Sequence, residues 1–185
     1  APDYDAKALE VFKQKNNLRV ISVKEYKKNR IDFQIQSIDG GFLVQEDDDK
    51  IITTEDLNCV TEKKPNQDEI ADLMFAWTVA KYVKSNAIVF AKNLQTIGIG
   101  AGQMSRVNSA KIASLKAASA NLDLTGAVMA SDGFFPFSDS IEMASDNGIN
   151  CIIQPGGSIK DQEVIDEANK KNIAMVLTGM RHFRH

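Results

Sequence analysis

The residues best suited to holding an anion are Gly98-Ile99-Gly100-Ala101-Gly102, which run into Ser105 and Arg106. Small residues let a backbone approach a ligand, and a helix capped by Ser105 offers unpaired N–H groups and the positive end of its dipole. The spacing is not the dinucleotide fingerprint GxGxxG, because Gln103 stands at the third required position. Arg106, in the first turn of that helix, is unfavourable beside the dipole unless an anion or a carboxylate answers it. A second stretch, Ser131-Asp132-Gly133-Phe134-Phe135-Pro136-Phe137, follows a predicted strand, where open α/β sheets place their ligands. Three Phe and one Pro there predict an aromatic platform for a flat ligand, or else a plug into the core or a subunit interface. Pro155-Gly156-Gly157-Ser158 follows the next predicted strand and adds backbone N–H groups on the same edge.

Both histidines, His182 and His185, lie in the tail Met180-Arg181-His182-Phe183-Arg184-His185. The pair reads as a metal site or general base, and more simply as a solvent-exposed terminus. Cys59 and Cys151 match no metal-ligand or disulfide framework and read as buried free thiols in a reducing cytoplasm. The zinc-deaminase pattern H-x-E with P-C-x-x-C is missing, so hydrolysis by a metal hydroxide is not expected, and the G-x-S-x-G elbow is missing as well.

These loops must be held by elements that the apolar pattern outlines. Asp5 to Gln14 has helical spacing, and Leu18 to Val23 reads as a buried strand. Phe33 to Ile38 and Phe42 to Val44, around Gly40-Gly41, predict an antiparallel hairpin with the acidic run Glu46 to Asp49 as a solvated tip. Pro65-Asn66 introduces a helix with Ile70, Leu73, Met74, Trp77 and Val79-Ala80 on its apolar face, Trp77 being core. Strands at Ala87 to Ala91 and Thr96 to Ile99 lead to the Ser105 helix, whose apolar residues are Val107, Ile112 and Leu115. From Leu124 the order is strand (Gly126 to Met129), helix (Ser138 to Ser145), strand (Cys151 to Gln154), helix (Gln162 to Lys170), strand (Ile173 to Leu177). That alternation predicts an α/β fold with a mixed, mainly parallel sheet covered by helices.

The 185 residues read as one continuous domain with a real core. Hydrophobic residues make up 43% and charged residues 25%, which excludes a disordered or low-complexity chain. A net charge of -3 provides no basic field for nucleic acid or an anionic membrane, and no run approaches the ~20 apolar residues of a membrane span. A cytoplasmic protein is expected.

Lys84-Ser85-Asn86-Ala87-Ile88-Val89, Gly98 to Val107, Ser131 to Phe137 and Arg181 to His185 together resemble the bifunctional purine biosynthesis family that joins IMP cyclohydrolase, a hydrolase, to AICAR (aminoimidazole carboxamide ribotide) transformylase. The resemblance is to the C-terminal part of the transformylase region. The Ala1-Pro2 start, in place of Met, fits a piece of a longer chain lacking the cyclohydrolase domain and the upstream transformylase half. The family resemblance implies a cytidine deaminase-like fold that uses no zinc, and phosphoribosylaminoimidazolecarboxamide formyltransferase chemistry: a formyl group moves from the co-substrate 10-formyltetrahydrofolate to the AICAR amine, giving FAICAR. The family's adjacent Lys-His pair has no counterpart here, so the piece alone is expected to be inactive. A free-standing phosphate- or nucleotide-binding module is the alternative.

By the same resemblance, Asn86, Arg106, Phe134 and Arg181 correspond to AICAR-site residues, with Asn86 orienting the carboxamide and Arg181 holding the 5'-phosphate. Val107, Pro136, Phe137, Asp139, Ser158, Ile159 and Phe183 fall in the implied folate site, where Ser140 replaces a family asparagine. Asp132 matches the carboxylate of a potassium site otherwise made of backbone oxygens. The implied partners are AICAR, folate and a second copy in a homodimer that completes the site.

Overall fold

In the computed structural model, residues 1–24 and 33–184 are described. Packing divides the chain into two units, Ala1–Asp49 and Lys50–His185. The first holds helix α1 (Ala6–Lys13), capped by the Asp5 carboxylate on the Ala8 N–H, and an antiparallel hairpin of β1 (Phe33–Ile38) and β2 (Gly41–Glu46). Asp39 and Gly40 turn this hairpin, and Gly40 takes φ +80°, a conformation that favours glycine. The expected buried strand at Leu18 to Val23 is not formed. These residues are irregular and exposed, Ile21 at 68%, because an apolar run makes a buried strand only where a neighbour accepts its ladder.

The second unit is a six-stranded sheet between helices. Its strands are β3 (Asn58–Cys59), β4 (Ile88–Lys92), β5 (Gln95–Gly100), β6 (Val128–Ser131), β7 (Cys151–Gln154) and β8 (Ala174–Leu177), in the order β3-β8-β7-β6-β4-β5. β6, β7 and β8 are parallel neighbours; β4 runs against both β5 and β6, and β3 against β8. The sheet is therefore mixed, with β5 to β8 running one way and β3 and β4 the other. The α/β class expected from the pattern is the one observed.

Alternation along the strands sends side chains to two cores. Val89, Ala91, Val128, Ala130, Ile153 and Val176 meet Leu73, Ala76, Trp77 and Ala80 of α2 (Gln67–Tyr82). On the other face, Ile88, Phe90, Met129, Ile152 and Met175 meet α3 (Arg106–Ser119), α4 (Asp139–Asp146) and α5 (Asp161–Lys170). α2 starts at a capping box in which Asn66 and Glu69 exchange hydrogen bonds of 2.9 and 2.8 Å. Asp72 of α2 accepts the Asn93 and Leu94 N–H groups at 2.9 and 2.6 Å, fixing the left-handed turn between β4 and β5. No helix among the described residues is long and apolar enough to cross a membrane.

The first two glycines of the Gly98 to Gly102 run serve this packing. A Cβ at Gly98 would strike the backbone carbonyl of Ala113, and one at Gly100 that of Ser109, so α3 lies directly on β5. Its buried face is accordingly made of Ser109, Ala110, Ala113 and Ala117, while Ile112 is half-buried and Leu115 exposed, contrary to the apolar face expected there. Gly100→Ala is expected to lose about 1–3 kcal/mol of stability by forcing α3 off the sheet. Urea unfolding measures it, and an unchanged midpoint would contradict the close approach.

Candidate functional site: an arginine pair at the sheet edge

The carboxyl ends of β5, β6, β7 and β8 share one edge of the sheet with the start of β4. That edge gathers Asn86, the Ser105–Arg106 helix start, the loops after β6 and β7, and the tail after β8. The clustering expected of the two Gly-containing loops is thus produced by the parallel strands.

Asp132 lies at the centre of the edge, fully buried. Its Oδ1 accepts from the Arg106 guanidinium at 3.2 Å, and Arg106 Nε donates to Ser131 Oγ, also at 3.2 Å. Ser131 Oγ donates in turn to the Gly133 carbonyl at 2.7 Å. Of the two answers left open for Arg106, the carboxylate is the one present. Burial holds the Arg106 guanidinium below its ordinary pKa, Asp132 opposes that, and Arg181 adds to it. Asp132 Oδ2 is buried with no hydrogen-bond partner. Gly133 leaves room for the Arg106 guanidinium and the Phe183 ring, because a Cβ there would fall onto the guanidinium as it is placed.

The aromatic loop divides its work. Phe135 enters the core, and its N–H donates to the buried Gln154 Oε1 at 3.1 Å. Phe134 is half-buried and carries the Arg181 guanidinium 4.6 Å above its ring centroid. Phe137 is 53% exposed, with Lys160 Nζ 4.8 Å from its ring. Arg181 lies beside Gly157, and no carboxylate pairs with it among the described residues.

Gly157 and Ser158 do not offer free N–H groups as expected. Asp161 accepts both, at 2.6 and 3.1 Å, so a side chain of α5 already fills that cradle. Asn86 donates from Nδ2 to the Gln103 carbonyl at 2.8 Å, and its own carbonyl accepts from Ser109 Oγ at 2.7 Å. Asp139, Pro136 and Ile159 are exposed, and Val107 and Ser158 half-buried. Ser140 is buried, and its Oγ has no partner.

The tail is docked, which corrects the expected exposed terminus. His182 is 2% exposed and packs on Trp77 with ring centroids 5.0 Å apart. Its N–H donates to the Asp132 carbonyl at 3.3 Å, and Ser85 exchanges hydrogen bonds with the Arg184 backbone at 2.8 and 3.0 Å. His185 lies outside the described residues. Cys151 is buried and Cys59 half-buried, both free; burial, reinforced by Glu69, pushes the Cys151 thiol up. Among the described residues no group of three or more His, Cys, Asp or Glu side chains gathers as a metal site.

The structure brings Arg106, Phe134, Arg181 and Phe183 to the same edge; Asp161, Gln154 and the Trp77–His182 contact were not anticipated from the sequence. Asp161 had a signal in the Ser-x-x-Asp spacing from Ser158, which is that of a helix cap. Gln154 and the His182 contact had none, since both depend on strand order.

The fold and edge define an α/β protein whose sheet edge carries two arginines, one paired with a buried aspartate and one lying over an aromatic ring. The family model described as "AICARFT/IMPCHase bienzyme" matches residues 1–116, and the chain belongs to that family, whose bifunctional enzymes serve purine biosynthesis. Asn86, Arg106 and Val107 lie inside the match, and the loops after β6 and β7 and the tail lie beyond it. Among solved structures, a dCMP deaminase from the cyanophage S-TIM5, crystallised with dCMP and dUMP, is 13% identical. It covers 61% of this chain and 98% of its own length at a TM-score of 0.41. A diaminohydroxyphosphoribosylaminopyrimidine deaminase/5-amino-6-(5-phosphoribosylamino)uracil reductase from Thermotoga maritima is 16% identical, covering 60% of this chain and 37% of its own, also at 0.41.

Asp132→Asn is expected to cost about 3 kcal/mol, because it leaves a largely buried guanidinium without its countercharge. Chemical denaturation reads this directly; a loss below about 1 kcal/mol would mean that the pair is solvated.

Proposed function

We propose that this chain supplies the nucleotide and folate contacts of an AICAR formyltransferase, the enzyme that moves a formyl group from 10-formyltetrahydrofolate to AICAR. The observation that carries this reading is the contrast between the two arginines. Arg106 is neutralised by Asp132, whereas Arg181 stands exposed over Phe134 with no carboxylate beside it among the described residues. An exposed guanidinium held in place by an aromatic ring is suited to bidentate contact with a phosphate.

In this reading Arg181 binds the 5'-phosphate, Phe134 packs on the ligand, and Arg106, held by Asp132, shapes the edge behind them. Asn86 uses its Oδ1 to orient the carboxamide, its Nδ2 being held by Gln103. Val107, Pro136, Phe137, Asp139, Ser158, Ile159 and Phe183 form the folate side, for which the exposed Phe137 and Ile159 provide apolar walls. The AICAR amine is a weak nucleophile because its lone pair is delocalised, so the reaction needs positioning, proton removal and charge stabilisation at the formyl oxygen. This chain positions the substrates. Proton removal falls to a Lys-His pair that its sequence does not contain and that a longer chain or a homodimer partner provides.

The same reading assigns Asp132 as the carboxylate that would hold a potassium ion, and its buried Oδ2, without a hydrogen-bond partner among the described residues, supports that assignment. Bound there, such an ion would supply a countercharge to that oxygen, while Asp132 would hold Arg106 through Oδ1.

Arg181→Ala is expected to weaken AICAR binding by about 1.5–3 kcal/mol, the range for a charge-assisted contact. Calorimetric titration checks it, and equal affinities would remove Arg181 from the phosphate site. A formyl transfer assay on the 185-residue chain alone is expected to show no turnover; turnover would mean that proton removal resides in this chain.

A further inference from the structure

We infer that His182 and Trp77 are positioning residues that set the Arg181 guanidinium from the opposite face of the sheet, an inference that rests on the reading of Arg181 as the phosphate contact. Arg181 belongs to no strand or helix. Its backbone is flanked by a turn in which Thr178 Oγ1 and Met180 exchange hydrogen bonds of 2.9 and 3.2 Å, and by His182. On the far side, the Ser85–Arg184 hydrogen bonds pin the tail to the residue preceding Asn86. Between these two anchors, the side chain that is buried is His182.

His182 lines a small groove together with Ile52, Trp77, Thr78, Lys81 and Tyr82, among others. Trp77, itself 2% exposed, tilts at 52° to the imidazole. Trp77 belongs to α2, which covers the sheet face away from α3 and its Arg106. The contact has a direct consequence at the edge: with the His182 ring held down and its backbone N–H on the Asp132 carbonyl, the preceding side chain is directed outward over Phe134. Asp132 thus holds Arg106 through its carboxylate and the Arg181 segment through its carbonyl.

The test compares AICAR with its dephosphorylated nucleoside by titration into His182→Leu, Trp77→Phe and Arg181→Ala chains and the His182→Leu/Arg181→Ala double variant. The expected result is that His182→Leu weakens AICAR binding tenfold or more, leaves nucleoside binding within twofold, and adds nothing in the Arg181→Ala background. Trp77→Phe, which keeps an aromatic ring under His182, is expected to lose less, and it provides the comparison if His182→Leu does not fold. Equal losses for both ligands, no loss for either, or an effect that adds to that of Arg181→Ala would overturn the inference. A Trp77→Phe chain indistinguishable from the unaltered one would do the same if His182→Leu is unfolded. An Arg181→Ala chain that discriminates the two ligands as the unaltered chain does would instead remove the phosphate reading itself.

Discussion

A fully buried carboxylate at the end of β6 organises the site. Burying Asp132 is unfavourable unless its oxygens are answered. Arg106 answers one, and this puts a cation in the first turn of α3, where the helix dipole alone would disfavour it. The Asp132 backbone extends the same control: its N–H donates to the Ala87 carbonyl and its carbonyl accepts from His182. One residue therefore joins β4, α3 and the C-terminal tail, and the aromatic loop begins two positions later.

The two arginines consequently do different work, although the family resemblance assigns both to one ligand. Arg106 is held by two side chains and is 14% exposed, so it contributes shape and a damped field. Arg181 keeps its charge available. The sheet makes this division possible, because three parallel neighbours deliver Asp132, the Gly157 loop and Arg181 to one edge from strands whose core residues are almost uniformly buried.

Much of this was legible from residue order. Strand-helix alternation after Leu124 predicted parallel strands, and parallel strands put their loops on one edge. The Arg106 problem was legible as a problem, since a cation at a helix start demands a countercharge; that Asp132 supplies it depends on the antiparallel placement of β4 between β5 and β6, which local pattern does not encode. The Gly98 and Gly100 pair was misread as a ligand approach because glycine looks the same in sequence whether a phosphate or a helix comes close. The run Leu18 to Val23 has the composition of a core strand, and composition says nothing about whether a neighbour pairs with it. The tail was misread for a related reason: His182 is buried by Trp77, a contact between residues more than a hundred positions apart.

In the proposed reading the phosphate of the ligand belongs to Arg181 while the Arg106–Asp132 pair stays closed. A crystal structure of the chain with AICAR tests it most directly. It should show phosphate oxygens within hydrogen-bond distance of the Arg181 guanidinium beside Phe134, with Arg106 still on Asp132. A phosphate seated on the Gly157 and Ser158 N–H groups with Asp161 displaced, or on an Arg106 turned away from Asp132, would contradict it.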